Sequence, residues 1–465
     1  MDTLIALGSG VSFFYSLFSL FFNTGHIYFE TSGVILTVVQ VGKLLESRTK
    51  NQASKTIKSL IDLSPKIAYT IVSGKTFEKP INEVKIGDIV LIRPGDRIPI
   101  DGEIKSTNKK NILIDESVLT GESAPLSKTA GDQVLAGTLN LGSDFIIKVT
   151  KLNQDTIFSQ IINMVTNSIG SKPPIQRIAD QVSKIFVPAV LLISLLSGFL
   201  WFFLPSDSKY NLTFAIMISV AVLVVSCPCA LGLATPTAIT VASGRAAKNG
   251  ILFKSTAMLE LLGKVNTIVF DKTGTLTQGR VMTYGEKDKL RPESISAISK
   301  LDQLGIKIIL ASGDNEKIVN EIAKDLNLSH YYSSLLPQDK FNIIKREQEQ
   351  NNIVAFVGDG INDAPALSSA DIGVTLRSAT DVALDSADVI IMNNNLMDLV
   401  KSINISKLTL KRIKQNLFLS LIYNICLIPI AAGLLFAFGG PLLNPMLASI
   451  AMSLSSICVV LNSLR

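Results

Sequence analysis

Asp271 ends the apolar run Thr267-Ile268-Val269-Phe270 and opens Lys272-Thr273-Gly274-Thr275. A short apolar β-run ending in a carboxylate places that carboxylate at the mouth of a parallel sheet, where open α/β sheets bind their ligands. There it can accept a phosphoryl group as an acyl phosphate, which divides one hard transfer into two easier ones. The phosphate then needs neutralising partners, and these follow in order: Ser312-Gly313-Asp314 after the run 306–310, Lys340 in Pro337-Gln338-Asp339-Lys340, and Gly358-Asp359-Gly360-Ile361-Asn362-Asp363 after the run 353–357. A lone Asp after a strand is commonly an Asx turn entering a helix, but that explanation leaves the other three elements without a purpose.

Two further clusters carry chemistry. Leu119-Thr120-Gly121-Glu122-Ser123 is a polar loop whose glutamate can orient a water for attack. Ser226-Cys227-Pro228-Cys229-Ala230 lies inside an apolar run. Proline lacks an N–H and clashes with the preceding turn, so a helix opens there. Unwound backbone at membrane depth is tolerated only where it is buried or lines a site. Two soft sulfurs beside such a break suit Cu(I) or Ag(I), whereas carboxylates would suit Ca2+ or Mg2+.

The elements that position these residues follow from composition. Hydrophobic residues make up 47% of the 465, mean hydropathy is +0.39, and the excess falls in runs near 3–23, 29–45, 183–204, 212–236, 417–438 and 442–464. Each approaches the roughly 20 residues that cross a bilayer, which predicts six spans with both termini on one side. Basic residues concentrate in 46–180 and 244–416, so these segments are expected to be cytoplasmic. The net charge of +6 follows from that asymmetry and calls for no nucleic acid. All four cysteines (Cys227, Cys229, Cys426, Cys458) fall in the runs, so no disulfide framework is expected. The first run lacks a basic n-region and a cleavage site, and reads as a membrane helix.

The predicted organisation is an α-helical transmembrane bundle with a β-rich module and a doubly wound α/β domain. Residues 1–63 hold the first two helices and an extension, 64–154 the β-rich module with turns at Pro94-Gly95-Asp96 and Asp101-Gly102, 155–264 the third and fourth helices, 265–400 alternating strands and helices, and 401–465 the last two helices.

In these motifs the chain resembles the P-type ATPases, and in Cys227-Pro228-Cys229 their heavy-metal branch. Tyr423-Asn424 and Met452-Ser453-Leu454-Ser455-Ser456 match its Cu(I) subgroup. The resemblance implies an actuator domain at 64–154 and a haloacid-dehalogenase-like phosphorylation domain at 265–400. Asp271 would be the nucleophile, with Mg2+ held by Asp271, the Thr273 carbonyl, Asp359 and Asp363. Ser312 and Lys340 would bind phosphoryl oxygens, and Thr120, Gly121 and Glu122 would form the dephosphorylation loop. Cu(I) would be held by Cys227, Cys229 and Met452, with Tyr423, Asn424 and Ser456 around them, entering by Met1, Glu46 and Asp180 and leaving by Glu30. Glu30 and Glu46 are sixteen positions apart, about 24 Å along a helix, which puts one near each face. Cys426 and Cys458 match no ligand position and read as core residues. ATP is the implied phosphoryl donor, a copper chaperone the implied source of Cu(I), and the bacterial inner membrane the implied location.

The chain departs from this pattern in places. The family carries a nucleotide-binding domain between the Asp271 and Ser312 loops, but 278–291 is far below the roughly 50 residues a domain needs, an absence a separate chain could fill. Neither His26 nor His330 precedes a proline, as the family's nucleotide-binding histidine does. Copper pumps of the family usually carry two further helices and a soluble metal-binding domain upstream, whereas this sequence starts at Met1, the residue matching the entry site. Ser312 stands where threonine is usual, and Leu376-Arg377-Ser378-Ala379 where glycines are frequent. A non-pumping copper-binding membrane protein and a phosphatase of small phosphoesters remain as alternatives to a Cu(I) pump.

Overall fold

The computed structural model describes residues 2–22, 27–37, 39–41, 43–44, 47, 65–107, 111–117, 125–156, 159, 174–203, 211–226, 229–278, 289–443 and 445–464. The chain divides into two units, one of 1–54, 173–241 and 409–465, the other of 55–172 and 242–408.

The first unit is helical. Helix Asn211–Val225 is its packing centre: Val220 to Val225 share one core with Ile5, Ile35, Val190, Ile428 and Met452. Around it lie helices Asp2–Phe22, Pro174–Phe203 and Pro445–Leu464. Their outer faces expose Phe14, Phe21, Ile185, Leu195 and Phe199, an apolar surface suited to hydrocarbon. Polar groups turn inward instead. Ser9, Ser12 and Ser16 donate to the carbonyls of Ile5, Gly8 and Ser12, and Ser194 and Ser219 each donate to the other's carbonyl at 2.9 and 3.1 Å. The first three close within their own helix, and the Ser194–Ser219 pair ties two helices where water is absent.

Among the described residues, three helices are long and apolar enough to cross a membrane, Ile5–Phe22, Pro174–Phe203 and Leu396–Ala431, while Phe29–Val41, Leu212–Val225 and Ile450–Leu464 are shorter. The predicted span 212–236 is divided: one helix stops at Val225 and the next begins at Cys229, as Pro228 requires. The predicted span 417–438 instead belongs to a 36-residue helix from Leu396 that ends before Gly433, a residue at φ +93°. Trp201 Nε1 donates to the freed carbonyl of Ala432 at 2.8 Å.

The second unit holds two β structures. The first has β1 (Ile67–Val72), β2 (Lys75–Pro80), β3 (Ile89–Ile92), β4 (Gly102–Thr107), β5 (Ile112–Asp115), β6 (Leu126–Lys128), β7 (Gln133–Val134), β8 (Leu139–Asn140) and β9 (Phe145–Val149). They form a six-stranded sheet, β2-β1-β3-β9-β4-β7, and a three-stranded sheet, β6-β5-β8. The inward members of each alternation, Val90, Ile92, Ile104, Ile112, Ile114, Phe145 and Ile147, make its core.

The second is a seven-stranded sheet of β10 (Ile251–Phe253), β11 (Thr267–Asp271), β12 (Lys307–Ala311), β13 (His330–Tyr332), β14 (Val354–Val357), β15 (Ile372–Leu376) and β16 (Val389–Ile391), in the order β10-β16-β15-β14-β11-β12-β13. All neighbours run parallel except β10 and β16. β11, β14 and β15 are buried at every position, as expected of strands covered on both faces.

Candidate phosphoryl-transfer site

The strand register brings the sequence motifs together. β11 is flanked by β14 and β12, with Phe270 level with Val357 and Asp271 level with Ala311. The loops starting at Asp271, Ser312 and Gly358 therefore leave the same carboxyl edge side by side. With Lys340 and Asp363 they line a cavity of about 340 Å³.

Lys340 is delivered by helix Pro337–Glu349, which has proline in its first turn and is capped by Asp339 accepting from the Leu336 N–H at 2.8 Å. Lys340 Nζ lies 2.5 Å from Asp271 Oδ1 and 2.7 Å from Asp363 Oδ1. Asp363 Oδ2 also accepts from the Gly360 N–H at 3.1 Å. Ser312 is buried, its backbone N–H donates to the Tyr332 carbonyl at 3.0 Å, and its Oγ accepts from the Asp314 N–H at 3.2 Å. Thr273 is exposed with extended backbone, ψ 126°.

Lys340 and, toward Asp359, Arg291 face three carboxylates. Oxygens of Asp271, Asp359 and Asp363 all lie within 4.8 Å of one another. Burial first, and then the Asp363 charge, push the Asp271 carboxyl up to about 7 and Asp359 to about 6. Burial works against the charge on Lys340, yet Asp271 and Asp363 hold it above the ordinary lysine range. Crowded acidic oxygens with a charge deficit fit a hard divalent cation such as Mg2+.

Gly274 is required where it stands. At φ +73° a Cβ would meet the Asp359 carboxylate, 2.6 Å from its Cγ. The loop is braced by three residues to which the motifs assign no role. Lys272 pairs with Asp314. Arg291 donates to the carbonyls of Gly274 (2.5 Å), Asn394 (3.0 Å) and Thr277 (3.2 Å). Its only sequence signal is a basic residue at the point where the expected domain is missing. That point is closed as a short antiparallel ladder: Gln278 N–H donates to the Lys289 carbonyl and Arg291 N–H to that of Leu276, each at 2.9 Å.

Among the membrane candidates, Met452 is buried in the core shared with Val222 to Val225, just before Cys227. Asn424 is buried, Tyr423 and Ser456 are partly buried, and Glu30 is exposed. Cys426 and Cys458 are exposed rather than core residues; they sit on the outward sides of helices whose inner sides carry Ile428 and Val459. Met1, Glu46, Thr120, Gly121, Glu122 and Cys227 lie outside the described residues, as do the side chains of Asp180 and Cys229.

A doubly wound sheet with a carboxylate pair, a hydroxyl and a lysine converging at its carboxyl edge defines a phosphoryl-transfer domain of the haloacid-dehalogenase type. Comparison agrees: residues 280–371 match the haloacid dehalogenase-like hydrolases, and residues 62–166 match the P-type ATPase actuator domain. The whole chain is 34% identical to a copper-transporting ATPase of Rhizobium meliloti, covering 70% of it, and 36% identical to a copper-exporting P-type ATPase of Staphylococcus haemolyticus, covering 71%. It also resembles the crystal structure of a zinc-transporting PIB-type ATPase, with a TM-score of 0.56 and 26% identity over 99% of this chain and 90% of that one. The chain belongs to the P-type ATPases, integral membrane translocases. Its alignment with the Rhizobium protein runs over 583 positions against the 465 residues present, so the relative carries a domain's worth of positions that this chain lacks.

Proposed function

We propose that this chain is the membrane and phosphorylation core of a Cu(I)-exporting P-type ATPase of the bacterial inner membrane, with its β-rich and phosphorylation domains in the cytoplasm. The observation that carries the reading is the cluster of Asp271, Lys340, Asp359 and Asp363 in a chain that also has Cys227-Pro228-Cys229 and copper-transporting relatives over its full length. In this reading Asp271 attacks phosphorus, the nucleoside diphosphate leaves, and Lys340 and Ser312 stabilise charge on the transferred oxygens. Bound by Asp271, the Thr273 carbonyl, Asp359 and Asp363, Mg2+ would supply the positive charge that keeps the carboxylates ionised. Glu122 accepts a proton as water attacks the phosphoaspartate, releasing phosphate and restoring Asp271.

Cu(I) is the cargo, held by the thiolates of Cys227 and Cys229 and the thioether of Met452, whose soft sulfurs suit it. Tyr423, Asn424 and Ser456 border that site, Met1, Glu46 and Asp180 receive Cu(I) from a chaperone, and Glu30 releases it. ATP is the family's donor, but positions 278–291 are too few to form the domain that holds adenosine in the family. Transfer from ATP should be slow unless a second chain supplies that domain, because positioning is worth several kcal/mol.

The reading is tested by titrating Cu(I) against a chromogenic competitor in detergent under reducing conditions. The double variant Cys227→Ser/Cys229→Ser should lose high-affinity binding. Wild-type stoichiometry and affinity in that variant would overturn the cargo assignment.

A further inference from the structure

The turn after β15 is gripped on several sides. Arg377 N–H donates to the Ile391 carbonyl on β16 at 2.9 Å, Ser378 N–H to Asn394 Oδ1 at 2.8 Å, and Thr380 N–H to the carbonyl of Asp359 at 3.0 Å. The turn is thus tied directly to the backbone of a carboxylate in the phosphoryl site. From it the Arg377 side chain reaches away from its own sheet. Arg377 Nη1 donates to Glu116 Oε2 at 2.8 Å.

Glu116 follows β5 of the small three-stranded sheet, and its side chain is only 3% exposed. Its other oxygen lies 3.3 Å from Lys128 Nζ on β6. The phosphoryl chemistry uses none of these three residues. A carboxylate this buried must be compensated, and one of the cations that compensate it comes from a different domain. Breaking the pair takes from a buried carboxylate the cation that the other domain supplies, so any movement separating the two domains works against this bond. Along the chain Glu122 follows Glu116 by six positions, so the strand end leading toward it is the part that Arg377 holds.

We infer that Arg377 and Glu116 form a clasp between the actuator and phosphorylation domains, and that Arg377 is a positioning residue for hydrolysis of the phosphoaspartate. This rests on the proposed role of Asp271 and Glu122. Two sites joined by a shared element are coupled, and coupling is commonly worth 5- to 150-fold in an equilibrium.

The test uses the full chain in detergent, with Arg377→Met, Arg377→Lys and Glu116→Gln. Phosphoenzyme formed from inorganic phosphate should decay about tenfold more slowly in R377M and E116Q, and fluoroaluminate should bind about tenfold more weakly. R377K, which keeps the charge, should recover most of both. A side chain that only stabilised its own domain would lower the melting temperature without this recovery. Amide hydrogen exchange is the independent arm: in ligand-free R377M, residues 112–117 should exchange faster while 354–357 stay protected. Wild-type decay and fluoroaluminate affinity in R377M and E116Q overturn the clasp. If the wild-type chain takes neither phosphate nor fluoroaluminate, the reading of Asp271 fails, and the exchange arm alone decides: unchanged exchange of 112–117 in R377M overturns the clasp.

Discussion

Gly274→Ala separates backbone strain from damage to the site. Gly274 has φ +73° and ψ −18°, where an L-residue costs about 1–2 kcal/mol. In a domain of this size that lowers the melting temperature by roughly 2–8 °C. The added Cβ would also lie 2.6 Å from Asp359 Cγ and 2.9 Å from Oδ1, well inside the roughly 3.5–4 Å of ordinary contact. The Asp359 backbone is held by the Thr380 N–H, which donates to its carbonyl at 3.0 Å, so the room must come from its side chain. The nearest carboxylate oxygen, Oδ2, lies closer still, so the carboxylate must swing aside by more than about 1 Å, and a misplacement of that size can cost a hundredfold. Gly305 is the control: it has φ +74°, and a Cβ added there would meet nothing within 4 Å. Calorimetric titration with fluoroaluminate in Mg2+ should show about a hundredfold loss in G274A and wild-type affinity in G305A, with both variants melting at lower temperature. Wild-type affinity in G274A would refute the steric argument.

Lys340→Met removes the bonds to Asp271 and Asp363 and leaves those two carboxylates buried beside the half-buried Asp359. Denaturant unfolding without Mg2+ should show a loss of about 3–5 kcal/mol, as for other broken buried pairs, partly recovered by adding Asp271→Asn; an unchanged midpoint contradicts the charge argument. Glu122→Gln should fold normally and lengthen the life of the phosphoenzyme, and an unchanged decay rate removes Glu122 from the mechanism. Asp271 titrates near 7 and Asp359 near 6 in the folded chain, above the ordinary carboxylate range. The folded state therefore keeps protons that the unfolded state has released, so this stability is complete below about pH 4 and is lost as pH rises through 6 to 7. With a chelator present the melting temperature should fall from pH 5 to pH 8, and saturating Mg2+ should flatten the curve; a rise in the chelated sample contradicts the assignment.

Asp271, Ser312, Lys340 and Asp359 are legible in the sequence because each motif follows a recognisable strand or opens a helix, and parallel register then places them at one edge. The division between the helices ending at Val225 and starting at Cys229 is legible for a local reason, the N–H that proline lacks. Bonds formed only by distant approach are not. Arg291 reaches three carbonyls and Arg377 reaches Glu116, and neither pattern has a spacing rule. In the sequence Arg377 stands out only as a departure from a glycine-rich loop. The continuous helix Leu396–Ala431 shows in the sequence as an apolar run starting at 417 because its first turns mix apolar and charged residues, and hydropathy alone cannot see a helix extending beyond its apolar stretch. Residue type points Cys426 and Cys458 to the core, but which side of a membrane helix faces lipid depends on its neighbours.

The central claim is that one chain couples a phosphoaspartate at Asp271 to Cu(I) at Cys227 and Cys229. The most direct measurement is radiolabelling of the purified chain by inorganic phosphate in Mg2+, with and without Cu(I), beside Asp271→Asn and Cys227→Ser/Cys229→Ser. Acid-stable, hydroxylamine-sensitive label should appear in the wild type and be absent from D271N. Cu(I) should change its level in the wild type and leave the double cysteine variant unmoved, since coupling between two sites is reciprocal. Label that survives in D271N, or a response to Cu(I) that persists without both cysteines, would contradict the account.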